Sequence, residues 1–539
     1  MEPENPKQPL DPALQSADEA IPDQIIAQKI EGQLGLPQKV VEILRSTPIF
    51  FEFLGRQFSF LGTATDNTTR SQALLMTIVM ECHAQLMKSS VTERWLLFQT
   101  DPLEILYYIA VNTNYIPAIE LLKSWIKNHA LNKSEVDGNE CVALYERIQT
   151  FLSVYENEKK LPLCRLCLNY LTPDTIRQQA LDIVEKTRGL EFENFLVGTH
   201  LSANIADKED EFRAQYGLQN GEAFKANMNR LLGKQLAQWW KLSPEYNNPD
   251  LYIQINLNLD SHSIEISNSP LYIKGRYMKF VRNLPQTHWH CPKCRGTKID
   301  KFSGDKCLEC SGTGDLFNSS VQDLIAEEVL ALSGGTEAFL HGAGREDLDA
   351  RCLGQGRTFV LEIKSPKIRH LDLETIQKHI NRDNLGVIHV DAMDFTTKRD
   401  IARTKQDSEN SSKVYHALIY LADFLAKDEF DAKLKQSQTI TKEKPLHQRT
   451  PIRVVHRRAD KTRLKRILAI EGKYIDPLHI FMKISAEGGT YIKEFISGDN
   501  GRTNPSLAGI FGINMKCAEL DVVEIEYNST NEAPTNEES

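Results

Sequence analysis

Residues 344–363 read GREDLDARCLGQGRTFVLEI, a charged turn bounded by glycines and followed by a run in which apolar and polar residues alternate. Alternation with a period of two predicts a β-strand. The pattern covers TFVLEIKSP (358–366) and recurs in LGVIHVDAM (385–393), KVYHALIYLA (413–422) and IDPLHIFMKISAEG (475–488). Because helical stretches separate these runs, they predict one mixed α/β domain over residues 316–528.

Upstream of residue 316 the spacing of apolar residues changes. It is helical in SQALLMTIVMECHAQLM (71–87), whereas helices alternate with strand-like runs around LYIQINLNL (251–259) and LYIKGRYMKFV (271–281). The whole pattern predicts an α+β multidomain protein. Its predicted divisions are a disordered segment over 1–35, a helix-rich domain over 36–160, an α+β accessory module over 161–290, a cysteine segment over 291–315, the mixed domain over 316–528 and a disordered tail over 529–539.

The composition narrows the class of protein. The chain has 539 residues and a formal net charge of −9, so any phosphate-binding surface must come from local clusters of basic residues. No apolar run is long enough to span a membrane, and the first residues lack the apolar stretch of a signal peptide, so we expect a cytoplasmic protein without a membrane partner. Walker and Rossmann glycine patterns are missing, and we therefore expect no nucleotide or redox cofactor.

The motif Gly344 to Arg351 places three acids, Glu346, Asp347 and Asp349, between two arginines on a tight turn. A carboxylate beside a fixed cation stays ionised and oriented, and it can then act as a nucleophile. Asp347 is our candidate nucleophile and Asp349 is its rival. The alternative interpretation is a salt-bridged strand end without catalytic function.

Two further segments carry aromatic and basic residues. Tyr415 lies on the apolar run 413–422, where a tyrosine is ordinarily a core residue. In the segment Gly488 to Phe495 we predict a strand that carries Tyr491 and Lys493 on one face at i and i+2. An aromatic plane beside a cation can hold a nucleotide, although an amphipathic strand without a ligand explains the segment equally well.

Four cysteines form two CxxC pairs separated by 12 residues. Each CxxC turn directs two thiolates to one point, so the pairs predict a tetrahedral structural zinc site. The predicted ligands are Cys291, Cys294, Cys307 and Cys310. A zinc-ribbon scaffold without catalysis would also use this arrangement.

The segment Arg449 to Arg466 holds eight Lys or Arg residues and the single acid Asp460. Such a cluster can contact the phosphates of a nucleic acid. A solvated surface hairpin is the alternative interpretation.

Several of these blocks together resemble the archaeal and eukaryotic pseudouridine synthases, of the Pus10 type, that modify the TΨC loop of tRNA. The resemblance is close over about 265–528. It rests on SPLYIKGRYMKFVRNLPQT (269–287), SSVQDLIAEEVL (319–330), GREDLDARCLGQGRTFVLEI (344–363), KVYHALIY (413–420), PIRVVHRRADKTR (451–463) and GGTYIKEFISGDNGRTNPSL (488–507).

The resemblance implies a mixed-sheet catalytic domain behind a THUMP-type RNA-binding module. It implies Asp347 as nucleophile, Tyr415 stacked on the target base, Tyr491 as a second pocket tyrosine, and Lys493 facing the aspartate. Arg345 and Lys493 would then hold Asp347 in its ionised form. The partner would be the TΨC arm of tRNA, bound by a monomer and modified at position 54, 55 or both. Its phosphates would contact Arg449, Arg453, Arg457 and Arg458.

The chain departs from this family at one motif. The family has a CxxC ahead of Leu-Gly-Arg, whereas this chain reads Phe50-Phe51-Glu52-Phe53-Leu54-Gly55-Arg56, and only the later pair Cys164 and Cys167 remains. We therefore expect phenylalanine packing rather than an N-terminal zinc site.

The alternative to an enzyme is a non-catalytic RNA-binding or tRNA-folding protein, in which Asp347 would be structural.

Overall fold

The computed structural model describes residues 36–527 except 48, 50, 59–66, 87–101, 114, 130–138, 159–163, 165, 220 and 260. The segments 1–35 and 529–539, which we predict to be disordered, lie outside the described residues. The chain divides into two compact units, Met1–Arg188 with Glu193–Ser267 and Gly189–Phe192 with Asn268–Ser539. Among the described residues, no helix is long and apolar enough to cross a membrane.

The first unit begins with helices, as their apolar spacing predicts. Their bounds are Leu36–Ser46, Phe51–Gln57, Asn67–Leu86, Pro102–Thr113, Ile116–His129 and Asn139–Glu158. The helix Asn67–Leu86 buries Leu74 and Leu75 and, one helical turn further on, Ile78.

The Leu-Gly-Arg motif lies in a tight contact between two of these helices. A Cβ atom on Gly55 would lie 1.9 Å from the carbonyl oxygen of Asn67, so only glycine fits there. Arg56 is fully buried, pairs with Glu209 at 2.7 Å and has its pKa lowered to about 10 by that burial. The predicted packing of the phenylalanines lies outside the described residues, because Phe50 and the side chains of residues 51–53 are not described.

An α+β module completes the first unit. Its elements are the helix Pro173–Lys186, β1 (Phe195–Leu201), the helices Ala203–Tyr216 and Phe224–Trp240, β2 (Leu251–Leu257) and β3 (His262–Asn268). The strands form one sheet in the order β1-β2-β3, and β1 pairs in parallel with β2 along its whole length. A parallel pair needs a crossover, which the two intervening helices supply.

The second unit holds the remaining strands. They are β4 (Leu271–Lys279), β5 (Glu337–Gly342), β6 (Ala350–Lys364), β7 (Ile388–Thr396), β8 (Ser411–Leu421), β9 (Leu446–Arg449), β10 (Thr462–Lys465), β11 (Ile467–Asp476), β12 (His479–Glu487), β13 (Thr503–Asn504) and β14 (Met515–Tyr527). An eight-stranded mixed sheet runs in the order β11-β12-β8-β14-β6-β4-β7, with β5 also paired to β6. A small second sheet has the order β10-β9-β13.

Strand β4 belongs to the large sheet and not to the accessory module. We assigned residues 271–281 to the accessory module, but β4 pairs antiparallel with both β6 and β7 in the large sheet. The physical reason is that alternation specifies a strand but not its partners, and Ile273 and Tyr277 are buried in the core of the second unit.

Helices cover the large sheet and build two hydrophobic cores. Their bounds are Val321–Ser333, Leu373–Asp383, Lys398–Glu409, Lys427–Glu443, Ile492–Ser497 and Leu507–Phe511. Ser320 and Asp323 begin the first of them with reciprocal side-chain to backbone hydrogen bonds. Strand β6 contributes to both cores, through Cys352 to one and Leu361 to the other. The loop 343–349 therefore leads into a strand that packs in both cores.

Candidate active site

The loop that carries the Arg-Glu-Asp triplet connects β5 to β6. Gly344 has φ of +78°, and a Cβ atom there would lie 2.7 Å from Ser408 Oγ. Both facts favour glycine, because a side chain would be strained and would also collide. The glycine therefore allows the loop to turn sharply just before the triplet.

Glu346 anchors this loop from inside the protein. Its carboxylate accepts a hydrogen bond from Arg357 Nε at 3.0 Å and from Tyr277 Oη at 3.1 Å, and Lys279 Nζ lies 3.7 Å away. The side chains of Glu346, Arg357 and Lys279 are each 1% exposed. Burial lowers the pKa of Lys279, and Glu346 acts against that effect. A buried charge network of this kind holds the neighbouring residue 347 in one position.

Asp347 points away from this network into a cavity. Arg453 donates from Nη1 to Asp347 Oδ1 at 2.9 Å, and Lys493 Nζ lies 3.6 Å from Asp347 Oδ2. Arg453 also donates from Nε to Glu494 at 2.7 Å, so its guanidinium joins two carboxylates. Burial acts to lower the pKa of Arg453, but its hydrogen bond to Glu494 and the charge of Asp347 outweigh burial and raise it. Arg453 therefore remains charged beside Asp347.

Two of these cation contacts were not expected from the sequence. We predicted Arg345 and Lys493 beside Asp347, and Arg453, which we had assigned to phosphate contacts, also donates a hydrogen bond to Asp347. Lys493 lies nearer to Asp349, at 2.6 Å. Sequence could not show this, because Arg453 is brought to Asp347 from 106 residues away by the folding of the small sheet.

Asp349, the rival nucleophile, has a different environment. Burial acts to raise its pKa, but the hydrogen bond and charge of Lys493 outweigh burial and lower it. Its side chain is 57% exposed, and it does not line the larger cavity, whereas Asp347 does. Arg351 pairs with Asp521 at 2.6 Å and not with Asp347 or Asp349.

The cavity beside Asp347 has a volume of about 670 Å³. Tyr415 of β8 lines it and is 8% exposed; burial raises its pKa to about 12, so the phenol keeps its proton at neutral pH. Arg345, Tyr491 and Lys493 line the same cavity. The structure thus brings together all five of the catalytic and substrate-binding residues that the sequence predicted.

A smaller cavity of about 310 Å³ adjoins the same loop. It shares Asp347, Arg345, Arg453 and Lys493 with the larger cavity and adds the ring of Trp289. Asp347 therefore lines both cavities.

The segment around Tyr491 is helical, so our prediction of a strand there was wrong. Tyr491 precedes the helix Ile492–Ser497, and Ile492, Phe495 and Ile496 are buried together at i, i+3 and i+4. That spacing is helical, but the helix is too short for its period to be clear in the sequence. Tyr491 nevertheless reaches the cavity, where its Oη accepts a hydrogen bond from Arg458 Nη1 at 2.8 Å.

Comparison with known proteins identifies the family. A family model for the C-terminal part of Pus10 matches residues 272–526, and one for the archaeal Pus10 THUMP domain matches residues 180–256. A protein of Methanocaldococcus jannaschii named tRNA pseudouridine synthase Pus10 is 35% identical over 508 residues, which are 94% of this chain and 98% of the relative. The chain belongs to the Pus10 family.

Two further members of the family have the same name. The protein of Methanothermobacter marburgensis is 40% identical over 65% of this chain and 84% of its own length. That of Methanothrix thermoacetophila is 32% identical over 90% of this chain and 93% of its own length. The protein is accordingly a pseudouridine synthase, an isomerase, with a helix-rich N-terminal region, a THUMP domain and a mixed-sheet catalytic domain. This result favours the enzyme over the non-catalytic alternative.

In this member of the family, the segment Arg449 to Arg466 contributes the last residue of β9 and the whole of β10 to the small sheet. Strands β9 and β10 pair antiparallel, and residues Ile452–Arg457 between them form a 3₁₀ helix. Arg449 pairs with Asp460 at 2.6 Å, and Arg458 contacts Tyr491. The side chain of Arg457 lies outside the described residues.

The four cysteines of 291–315 form a compact cluster that could hold a metal ion. Their sulfurs lie within 4.8 Å of one another, with Cys291 to Cys307 at 3.9 Å and Cys294 to Cys310 at 3.7 Å. Zinc–sulfur bonds of about 2.3 Å would place the sulfurs of a tetrahedral site about 3.8 Å apart, in agreement with these distances.

Two equivalent turns build this cluster. The sequences CPKCRGT (291–297) and CLECSGT (307–313) share the pattern CxxCxGT. In each turn the threonine hydroxyl donates to the carbonyl oxygen of the second cysteine, from Thr297 at 2.6 Å and from Thr313 at 2.7 Å. The glycines Gly296 and Gly312 both have positive φ, as the turn requires. No cysteine that the structure describes lines the cavity beside Asp347.

Sequence reasoning missed three residues of the site, namely Glu346, Arg357 and Lys413. Arg357 and Glu346 lie on opposite sides of the glycine-rich run 352–356, and only the hairpin-like path of the chain makes them neighbours. Lys413 had a usable signal, because it lies two residues before Tyr415 on the same strand and therefore shares its face.

Proposed function

We propose that the enzyme isomerises uridine 54, uridine 55 or both in the TΨC loop of tRNA, with Asp347 as its nucleophile. The observation that carries the proposal is a carboxylate held by Arg453 and Lys493 in a cavity that Tyr415 also lines. A cavity of about 670 Å³ is within the range of small-ligand sites and can admit a nucleotide.

The reaction conserves all atoms. The bond between ribose C1′ and uracil N1 breaks, the base turns within the cavity, and C1′ bonds to C5; C5 loses a proton and N1 gains one. The ionised carboxylate of Asp347 would attack the ribose or the base and keep the fragments joined while the base turns. Because the product is an isomer, no electrons are gained or lost overall.

The neighbouring residues have distinct roles in this proposal. Arg453 and Lys493 orient Asp347 and offset its charge, and their contacts would reorganise when the substrate enters. Tyr415 stacks on the uracil; it could accept a ribose proton only after losing its own, which its raised pKa opposes. We therefore propose stacking as its main role. Tyr491 and Arg345 complete the walls of the cavity.

The target uridine is stacked within the folded T-loop and must turn out to reach Asp347. Unstacking costs a few kcal/mol, which phosphate contacts elsewhere must offset. We propose that Arg449, Arg457 and Arg458 of the basic segment and the THUMP domain make such contacts with the TΨC arm, with one enzyme monomer per tRNA. Arg453 is better placed to act on Asp347 than on a phosphate.

The experiment that tests this function is pseudouridine mapping on an unmodified tRNA transcript by carbodiimide treatment and primer extension. We expect enzyme-dependent stops at position 54, 55 or both. Transcripts with cytidine at 54 or at 55 separate the two sites, since each leaves one target. Stops confined to other parts of the tRNA would refute the T-loop assignment.

We also propose that the four-cysteine cluster binds one structural zinc ion. Cys294→Ser should lower the zinc content of the purified protein from about one ion per chain to a small fraction of that, because three thiolates hold zinc poorly. Cys517→Ser is the matched control, since Cys517 lies outside the cluster. Elemental analysis of both variants measures the effect. Freshly purified wild-type protein without zinc would contradict the proposal.

A further inference from the structure

The cavity beside Asp347 is strongly positive. Among the described residues that line it are eight basic side chains and only two carboxylates, Glu346 and Asp347. The basic residues are Arg345, Arg357, Lys413, Arg453, Arg458, Arg463, Lys465 and Lys493. One carboxylate nucleophile does not require so many cations, so the excess indicates a second negatively charged group, carried by the ligand.

Several of these cations already have partners in the protein. Arg357 pairs with Glu346, Arg453 with Asp347 and Glu494, and Lys493 with Asp349. Lys465 donates to the backbone carbonyl of Gly488 at 2.6 Å, which leaves its charge without a carboxylate. Lys465 is therefore one of the cations whose positive charge no neighbouring carboxylate offsets among the described residues.

Lys413 differs from all of them. Its side chain lies on β8, is 7% exposed and makes no hydrogen bond or ion pair with any residue that the structure describes. Its Nζ atom lies 3.5 Å from the point where a Cβ of residue 344 would be, close to Ser408 and Arg357. Lys413 lines the cavity, so its ammonium group is available to a ligand there, and a negatively charged ligand would offset the cost of its partial burial.

The charges around Lys413 explain its state in the free protein. Burial, and then the charge of Arg357, lower its pKa to about 7. The charge of Lys465 also lowers the pKa of Lys413, whereas Cys352 and Glu346 act to raise it. A neutral ligand group such as a uracil carbonyl would leave this repulsion in place. A ligand with a full negative charge would remove it.

We propose that Lys413, with Lys465, binds one backbone phosphate of the RNA substrate inside this cavity. The proposal rests on the proposed function, because it uses the same cavity as the site of the reaction. It adds a contact that holds the RNA strand at Lys413, which lies two residues before Tyr415 on β8. Lys413 is thereby a substrate-binding residue and takes no part in bond breaking.

The test uses T-arm hairpin RNAs in which one loop phosphate at a time is replaced by an uncharged methylphosphonate. For the wild-type enzyme, neutralising one particular linkage should weaken binding about tenfold or more, as expected for a charge-assisted hydrogen bond. Lys413→Met should bind the native hairpin more weakly by a similar factor. In this variant, the methylphosphonate at that linkage should cause no further loss of affinity. Lys413→Arg should retain most of the affinity. Lys516→Met is the matched control, because Lys516 is exposed and does not line the cavity.

The dependence on pH gives a second measurement. Phosphate binding would favour the charged form of Lys413, so wild-type affinity should fall as the pH rises from 7 to about 8.5, whereas arginine stays charged throughout. Lys413→Arg should therefore show a flatter dependence over this range. A wild-type affinity that changes no more than that of Lys413→Arg would count against the phosphate contact.

If every methylphosphonate weakens binding to Lys413→Met as much as binding to the wild type, the phosphate subsite is wrong. Thermal unfolding checks the fold, and Lys413→Met should melt no earlier than the wild type, because the change removes an unpaired buried charge. Pseudouridine formation by the wild type on the native hairpin is measured in parallel. Binding without product would refute the proposed function while leaving the comparison of binding affinities intact.

Discussion

We expect Asp347→Asn to abolish pseudouridine formation while the variant still binds tRNA. We expect turnover to fall by a factor on the order of 10³ or more, because asparagine keeps the shape of the side chain but lacks a nucleophilic carboxylate. Binding should change little, since eight basic side chains among the described residues that line the cavity remain to attract the RNA. Single-turnover assays with saturating enzyme, together with filter binding, separate the two effects.

Asp349→Asn is the matched control for this prediction. It removes the same charge two residues away, where the carboxylate pairs with Lys493 outside the larger cavity. Freed from Asp349, Lys493 would still lie near Asp347, so we expect activity to be reduced by less than about tenfold. Near-normal turnover in Asp347→Asn, with loss in Asp349→Asn, would reverse the assignment of the nucleophile.

Glu346→Gln has the largest expected effect on stability. Glutamine has the same shape but no charge, so Arg357 and Lys279 would remain buried without their counter-ion. Removing one partner of such a buried group costs about 3–5 kcal/mol. We expect the urea midpoint of the second unit to fall accordingly, and the activity to fall with it, because the loop beside Asp347 loses its anchor.

Glu337→Gln is the control for this change, because Glu337 is an exposed residue at the start of β5, the strand that leads into the same loop. It should unfold at the same urea concentration as the wild type. The measurement is urea unfolding followed by circular dichroism, with hydrogen exchange of residues 343–349 as the local readout. An unchanged urea midpoint in Glu346→Gln would show that the buried charge network does not stabilise the second unit against unfolding.

Local patterns in the sequence were sufficient for much of the fold. The strands around Tyr415 and after Arg357 follow from alternation, since a period of two exposes one face of a strand and buries the other. The four-cysteine cluster follows from two short turns, each of which directs its own pair of thiolates. Resemblance to a family pointed to Asp347 and its aromatic neighbours, and the structure places all of them around one cavity.

The partners of these residues were decided only by the tertiary structure. Arg453 meets Asp347, and Glu346 meets Arg357 and Lys279. Lys413 lies among cations, with no side-chain partner in the part of the chain that the structure describes. Each of these relations depends on which strands pair and in what register. Strand pairing joins residues that are far apart in the chain, and periodicity within one segment carries no information about its partner. The sequence by itself therefore determined which side chains could do chemistry, and the packing of the large and small sheets decided which charges they meet.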